Sequence, residues 1–175
     1  MITIRDEQAS DVAAREALLD RAMGKIKRRR KTSERLRSGR IPADGLAFVA
    51  VDGDRLVGTI RLWNIACEGG EAVLLLGPMA VATDCRNRGI GAALVRHAAE
   101  AAKALGHEGV ILVGDAPYYS RFGFTAEKTA GLRLPGPVER HRLLALELVP
   151  GALDAAQGMI SATGRMPETA QTRAA

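Results

Sequence analysis

Alternating and short continuous apolar stretches mark four β-strands in the first 81 residues. A first strand is predicted over residues 1–5, where isoleucine alternates with polar neighbours, and a second over the compact apolar run 46–51. Asp52-Gly53-Asp54 is typical of a hairpin turn, so the strand predicted over 55–65 pairs with the second in antiparallel fashion. Residues 71–81 are apolar enough for a strand buried on both faces. The last three strands are therefore expected to form a meander.

Helical periodicity separates and follows these strands. A helix is predicted over residues 12–27, and Thr32 opens a second, short helix that ends near Gly39. The clearest helix runs from Ile90 to Leu105, where apolar residues recur every three or four positions on one face, and Gly106 ends it.

A buried strand over residues 109–114 follows this helix. Strand, helix and strand in this spacing predict a right-handed crossover between parallel strands, with ligands bound at the carboxyl ends of the strands. Asp115 is expected to cap a short helix that ends at Phe122. Residues 142–149 are predicted to form the last strand, paired with residues near Thr125.

Two glycine-containing sites interrupt the pattern at its centre. Gly77-Pro78 breaks the strand 71–81, since proline donates no N–H to a neighbouring strand, and we expect a bulge or a slot between strands there. Gly89 and Gly91 stand at the start of the clearest helix, just after Arg86 and Arg88. Unpaired N–H groups, the helix dipole and the arginines all favour an anion, so this loop is interpreted as a diphosphate cradle; an ordinary strand-to-helix turn is the alternative.

Composition indicates one globular domain over residues 1–150, followed by an extension, 151–175, that includes a frayed, partly disordered tail from Ser161. Apolar residues make up 47% and charged residues 26% of the 175, as in ordinary globular proteins. No apolar run approaches the roughly 20 residues that cross a bilayer, and the N-terminus does not resemble a secretory signal, so a cytoplasmic location without membrane contact is expected. Cys67 and Cys85 are predicted to be free thiols, and no metal site is predicted.

Positive charge is concentrated in the segment 25–40, called the basic segment below. It holds nine Lys or Arg against Glu34, a net charge of +8, whereas the whole chain carries +5, so the remainder carries −3. A local basic patch indicates an anionic partner near that patch.

Two short motifs lie between residues 86 and 124. Arg86, Gly89 and Gly91 match a signature of Gln or Arg, two residues, Gly, one residue, then Gly or Ala, and Tyr119, Gly123 and Phe124 match a Tyr-x-x-x-Gly-Phe pattern. These motifs, together with the order of the predicted strands and helices, make the chain resemble the GNAT superfamily of acyl-CoA-dependent N-acyltransferases. The stretches around them are similar to a bacterial branch of predicted N-acetyltransferases.

The resemblance, firm over residues 46–124, implies an α/β (α+β) fold: a single domain with a mixed, mostly antiparallel sheet of about six or seven strands, splayed at a central parallel pair and flanked by about four helices. It implies acetyl-CoA as co-substrate. The cofactor-binding residues are then the loop residues Arg86, Asn87, Arg88, Gly89, Ile90, Gly91 and Ala92 for the pyrophosphate, and the strand residues Met79, Ala80 and Val81 for the pantetheine arm. The Met79 N–H is the expected oxyanion donor.

The resemblance also implies catalytic roles. Tyr119, in register with Gly123, is the expected acid for the CoA thiolate, with Tyr118 as the reserve; core packing is the alternative role of the pair. Some relatives place a glutamate base where Leu75 stands. Glu71, on the same strand face but roughly 13 Å away, is a candidate that acts only through water. Asp115 and Glu68 are explained equally well as a helix cap and a turn residue, and an amine that arrives partly neutral, or a water chain to solvent, needs no dedicated base.

The acceptor is expected to be a primary amine. In this superfamily the first two helices wall the acceptor site, so the basic segment favours an acidic acceptor, although a solvated helix end explains it equally well. A non-catalytic acyl-CoA-binding regulator and an RNA-associated (aminoacyl-tRNA) acetyltransferase are alternatives; nucleic-acid binding is disfavoured because few aromatic residues interleave with the basic ones. Whether the chain forms a homodimer stays open.

Overall fold

The structure, a computed structural model, describes residues 1–168, which contain nine β-strands and four α-helices. The strands are β1 (Ile2–Asp6), β2 (Ala47–Asp52), β3 (Arg55–Ala66), β4 (Ala72–Val81), β5 (Gly109–Val113), β6 (Leu132–Arg133), β7 (Leu143–Glu147), β8 (Gly158–Met159) and β9 (Ser161–Ala162). The helices are α1 (Val12–Met23), α2 (Lys25–Arg29), α3 (Ile90–Ala104) and α4 (Ala116–Tyr119). The predicted strands and the helix after the glycine loop are confirmed to within one or two residues at their ends.

A mixed sheet organises the chain, with strand order β1-β2-β3-β4-β5-β7 and with β9 paired to β3 beyond the end of β2. β4 and β5, which α3 connects, run parallel, and the other pairs of this sheet are antiparallel. Among the described residues, β4 and β5 are in register only at Leu74–Val110 and Leu75–Ile111. The predicted fold class, a mostly antiparallel sheet splayed at a central parallel pair, is therefore confirmed.

Each face of the sheet carries an apolar core, because successive side chains of a strand point to opposite sides. Leu74 belongs to the core that contains α1 and α3, and Leu75 belongs to the core that residues 153–160 cover. α3 lies close to β3 because Gly58 has no side chain: a Cβ there would lie 2.9 Å from Leu94 Cδ1. This close packing fixes the start of α3 against the sheet.

The first helical region differs from its prediction. A single helix was expected over residues 12–27, but Gly24 has φ +80°, outside the helical region, so the segment forms two helices, α1 and α2. The second predicted helix is a 3₁₀ segment, Thr32–Leu36. Leu105, expected on the apolar face of α3, follows the helix and is 57% exposed.

The C-terminal segment packs more than its composition predicts. A frayed tail was expected from Ser161, but β9 pairs with Ile65 and Ala66 of β3, and the preceding Ile160 is only 1% exposed. The unpaired edge of β3 offers hydrogen bonds that a composition argument cannot anticipate. Residues 169–175 of the expected tail lie outside the described part of the chain.

Cys67 and Cys85 are free, as predicted, and both are buried. None of the helices within residues 1–168 has the length and hydropathy that a membrane crossing requires.

Candidate active site

A slot opens where β4 leaves β5. Gly77–Pro78 is a cis peptide, and the register between β3 and β4 shifts beside it. The buried Trp63 indole donates a hydrogen bond of 2.5 Å to the Gly77 carbonyl oxygen, which holds the break against β3. β4 continues through this point, so the predicted interruption takes the form of a bulge, and a cavity of about 790 Å³ lies beside it.

The cavity lies between the splayed strands, the basic segment and the loop before β7. β4 contributes residues 76–79 to its lining, the end of β5 and the turn after it contribute residues 112–115, and Tyr119 of α4 joins them. Leu112 and Leu76 are buried and give the cavity an apolar floor.

Backbone N–H groups of β4 point into this slot. Ala82 N–H donates to the Val57 carbonyl of β3 at 2.8 Å, and the register pairs Ala80 with Thr59. Since alternate residues of a strand direct their N–H groups to opposite neighbours, the N–H groups of Met79 and Val81 face the β5 side. β4 is not paired with β5 at these positions among the described residues, so both donors are open to a ligand.

The loop after β4 forms a turn whose backbone conformation suits an anion. Asn87 and Gly89 have φ values of +65° and +77°, and α3 begins at Ile90, whose side chain is buried. Left-handed residues in such a turn direct successive N–H groups to one concave side, and the N-terminus of α3 adds its dipole. Arg86 and Arg88 are exposed beside it. The loop therefore fits the diphosphate cradle that its glycines predict.

Gly91 and Tyr118 meet at this cradle. A Cβ at Gly91 would lie 2.7 Å from the Tyr118 hydroxyl, 3.7 Å from Val81 Cγ2 and 3.8 Å from Met79 Cε. Gly91 thus allows the tyrosine and the slot to approach the first turn of α3, and the Tyr118 hydroxyl lies at the cradle rather than in the cavity.

Tyr119 lies in the cavity wall. Its ring packs against Tyr118 and Phe124, with centroid distances of 5.0 and 5.8 Å. No described residue bonds to its hydroxyl. Burial, followed by the proximity of Tyr118 and Asp115, raises the pKa of Tyr119 to about 12. The hydroxyl therefore keeps its proton at neutral pH.

Glu71 lies outside the cavity. It precedes β4, and its Oε2 atom is buried without a hydrogen-bond partner among the described residues. It is five residues before Leu76, roughly 16 Å along the strand, and its charge adds to desolvation in raising the pKa of the Cys67 thiol. Leu75 is fully buried in the core. The structure therefore does not bring a glutamate from β4 to the slot.

Part of the cavity wall is basic. Five cationic side chains line it: Arg30, Lys31, Arg35, Arg37 and Arg142. Asp115 and Glu139 are the acidic lining residues, and Asp115 caps α4 by accepting a hydrogen bond from the Tyr118 N–H at 3.1 Å. The basic segment thus faces the cavity, where the sequence placed it only by resemblance.

Sequence reasoning missed the loop over residues 137–142. Pro137, Val138, Glu139 and Arg142 line the cavity, yet no motif or periodicity marks them. Arg142 is placed by the β5–β7 pairing, and its Nε donates to the Gly114 carbonyl at 3.3 Å. Within residues 1–168, His, Cys, Asp and Glu side chains do not cluster in threes that could hold a metal ion.

Comparisons with known proteins agree with the two motifs. Residues 43–126 match the family described as an acetyltransferase (GNAT) domain. Among proteins of curated function, none matches the sequence.

Solved structures share the fold over nearly the whole chain. The GNAT family N-acetyltransferase YhbS from Escherichia coli, solved in complex with CoA, is 25% identical with a TM-score of 0.78, over 93% of this chain and 89% of that one. A GNAT family acetyltransferase from Brucella melitensis, in complex with acetyl-CoA, is 24% identical with a TM-score of 0.67, over 93% and 96% of the two chains. A Staphylococcus aureus acetyltransferase of the GNAT family is 20% identical with a TM-score of 0.60, over 85% and 99%.

Proposed function

Because residues 43–126 match the GNAT acetyltransferase family, we propose that the protein is an N-acetyltransferase that transfers an acetyl group from acetyl-CoA to a primary amine. The observation that carries the proposal is the junction of three features at one slot: the anion-binding turn at the start of α3, the open N–H groups of Met79 and Val81, and the Tyr119 side chain.

Residues 86–92 hold the diphosphate of the co-substrate. The left-handed conformations at Asn87 and Gly89 orient the N–H groups of the turn, and Arg86 and Arg88 add charge beside them. The YhbS and Brucella melitensis proteins were solved with CoA and acetyl-CoA, which supports this ligand for the turn. Met79, Ala80 and Val81 hold the pantetheine arm along the open edge of β4.

The chemistry needs a carbonyl that is polarised and a leaving thiolate that is stabilised. Acetyl-CoA supplies an activated acetyl thioester. The Met79 N–H, which faces the slot, donates a hydrogen bond to the oxygen on which negative charge develops. Tyr119 Oη holds its proton at neutral pH and donates it toward the leaving sulfur.

The amine requires no carboxylate base in β4. Cations lower the pKa of a neighbouring ammonium group because its charged form is repelled. At Lys31 in the cavity wall, desolvation is the larger cause that lowers the pKa, and the charges of Arg37, Arg142 and Lys27 lower it further. An acceptor ammonium beside the same cations loses its proton more readily, and solvent accepts that proton.

Thermal unfolding and thiol release together test the proposal. Acetyl-CoA at 100 times its Kd is expected to add about 2.7 kcal/mol to the free energy of unfolding, and an amine panel is expected to include acceptors that release CoA thiol and gain an acetyl group detectable by mass. The variant Gly89→Asp is the matched control, since it places a carboxylate and a strained backbone in the turn. An unchanged melting temperature with millimolar acetyl-CoA contradicts the proposal, and binding without acetylation of any amine indicates a non-catalytic acyl-CoA-binding protein.

A further inference from the structure

The cations of the cavity wall are largely uncompensated. Among the described residues, Arg30, Lys31, Arg35 and Arg142 have no carboxylate partner within ion-pair distance, whereas Arg28 of the same basic segment is paired with Glu16 and Asp20. Glu139, at the cavity rim, pairs with His141 instead. Like charges gathered around one cavity repel one another, and a bound anion relieves that repulsion.

Arg37 is the buried member of this cluster. Its side chain is only 7% exposed, and its Nε and Nη2 atoms donate to Glu34 at 3.2 and 3.1 Å. The remaining terminal nitrogen, Nη1, has no hydrogen-bond partner among the described residues. It lies 3.3 Å from the position of a Cβ at Gly77, at the strand break that opens the slot. A buried guanidinium thus presents a free donor edge to the cavity next to the proposed site of acetyl transfer.

Lys31 and Arg142 converge with Arg37 on the same space. Both line the cavity, and the charges of Arg37 and Arg142 lower the pKa of Lys31, which places the three cations within electrostatic reach of one another. Arg142 uses Nε to bind the Gly114 carbonyl, so its terminal nitrogens remain for another acceptor.

The size of the cavity and the placement of its cations favour a small ligand that carries an anionic group. A volume of about 790 Å³ is in the range of small-molecule sites, and its cationic groups lie around the slot instead of along an extended surface. A polyamine is repelled here, and a neutral amine leaves the cations unpaired.

We propose that the acceptor is a small amine that also carries a carboxylate or a phosphate group, and that Arg37, Lys31 and Arg142 bind this anionic group while its amine faces the slot. This inference rests on the proposed function and names its substrate class. The anion binds to side chains outside the diphosphate turn, so its binding is separable from that of acetyl-CoA.

Matched acceptor pairs test the substrate class. Each pair shares one amine: β-alanine with β-alaninamide for the carboxylate, and phosphoethanolamine with ethanolamine for the phosphate. The anionic member of at least one pair is expected to have a kcat/KM about tenfold or more above its neutral partner, measured by thiol release. Neutral members that react as fast as both anionic ones overturn the inference and leave the proposed function intact.

Charge-removing variants test the site. Lys31→Gln and Arg142→Gln are expected to raise the KM of the anionic acceptor about tenfold and to leave that of acetyl-CoA unchanged. Arg29→Gln is the matched control, because it removes the same charge from the exposed surface of the basic segment without touching the cavity. Equal effects of Arg29→Gln and Lys31→Gln would show general electrostatic attraction only and would overturn the assignment.

A binding measurement tests the proposed anion site even if no amine of the panel reacts. Inorganic phosphate and acetate are titrated calorimetrically onto the protein saturated with CoA, so that the diphosphate turn is occupied. Binding that weakens about tenfold in Arg142→Gln, and is unchanged in Arg29→Gln, supports the anion site even if the proposed acetyl transfer fails. Absence of binding to the wild-type protein overturns the inference.

Discussion

Replacement of Tyr119 by phenylalanine separates its chemical role from its packing role. The ring contacts Tyr118 and Phe124, and phenylalanine retains both contacts. Because no described residue bonds to the Tyr119 hydroxyl, its removal leaves no buried group without a partner. We therefore expect Tyr119→Phe to change the free energy of unfolding by less than about 0.5 kcal/mol.

The size of the catalytic loss follows from the pKa of Tyr119. Burial raises it to about 12, whereas an ordinary thiol has a pKa of about 8.5. Complete proton transfer from the tyrosine to the thiolate is therefore uphill by about 5 kcal/mol at 1.36 kcal/mol per pKa unit. A hydrogen bond to the developing charge is the larger contribution, and positioned donors of this kind contribute roughly 10²- to 10³-fold in kcat. We expect a loss of about 100-fold, near the low end of this range.

Thiol release under saturating acetyl-CoA measures this loss with the best amine of the matched panel. The control is Tyr118→Phe: its hydroxyl lies at Gly91 in the diphosphate turn, so we expect a raised KM for acetyl-CoA with kcat changed less than about threefold. If Tyr119→Phe keeps kcat within about threefold of the wild type, or if Tyr118→Phe shows the 100-fold loss instead, the assignment of Tyr119 is refuted.

Three further predictions concern the packing and the pH response of the site. Gly58→Ala inserts a Cβ 2.9 Å from Leu94 Cδ1 and is expected to lower the free energy of unfolding in urea by about 1–3 kcal/mol. The double variant with Leu94→Ala should lose less stability than the sum of the two single losses. Additive losses would contradict the close approach of α3 to β3. Trp63→Phe removes the hydrogen-bond donor of the Gly77 carbonyl, so we expect a loss of about 1–3 kcal/mol in stability together with a lower kcat. An unchanged stability would show that this hydrogen bond does not hold Gly77 against β3. The pKa of Tyr119 is raised to about 12 in the folded protein, against about 10 in the unfolded chain, so the folded state keeps the proton to a higher pH. The wild type should therefore lose about 1 kcal/mol of stability relative to Tyr119→Phe between pH 9 and 11. Parallel curves of stability against pH for the two proteins would refute the raised pKa.

Local sequence determined the features that depend on neighbours along the chain. Alternation and apolar runs predict the strands of the meander, since side chains of a strand face opposite sides with a period of two. The spacing from Ile90 onward predicts α3, and Gly89 and Gly91 mark its start as an anion-binding turn. The interruption at Gly77–Pro78 follows equally from local chemistry, because a residue without an N–H cannot continue a ladder.

The C-terminal segment and the helix break show what these local rules omit. Composition cannot reveal that Ser161 and Ala162 meet the free edge of β3, because that edge exists only after β2 has ended. Periodicity likewise passes over Gly24, where a single left-handed residue divides one predicted helix into two.

Tertiary structure alone decided the composition of the cavity. Tyr119 and the Met79 N–H come from motifs, but Arg142 and Glu139 reach the same space through the β5–β7 pairing, which joins residues distant in sequence. Glu71 directly precedes the strand that carries Met79, and the extended geometry of β4 keeps it far from the slot. The turn proposed to bind a diphosphate is a local structure and is readable from spacing, whereas the proposed acceptor site is assembled from separate segments whose proximity only the folded chain creates.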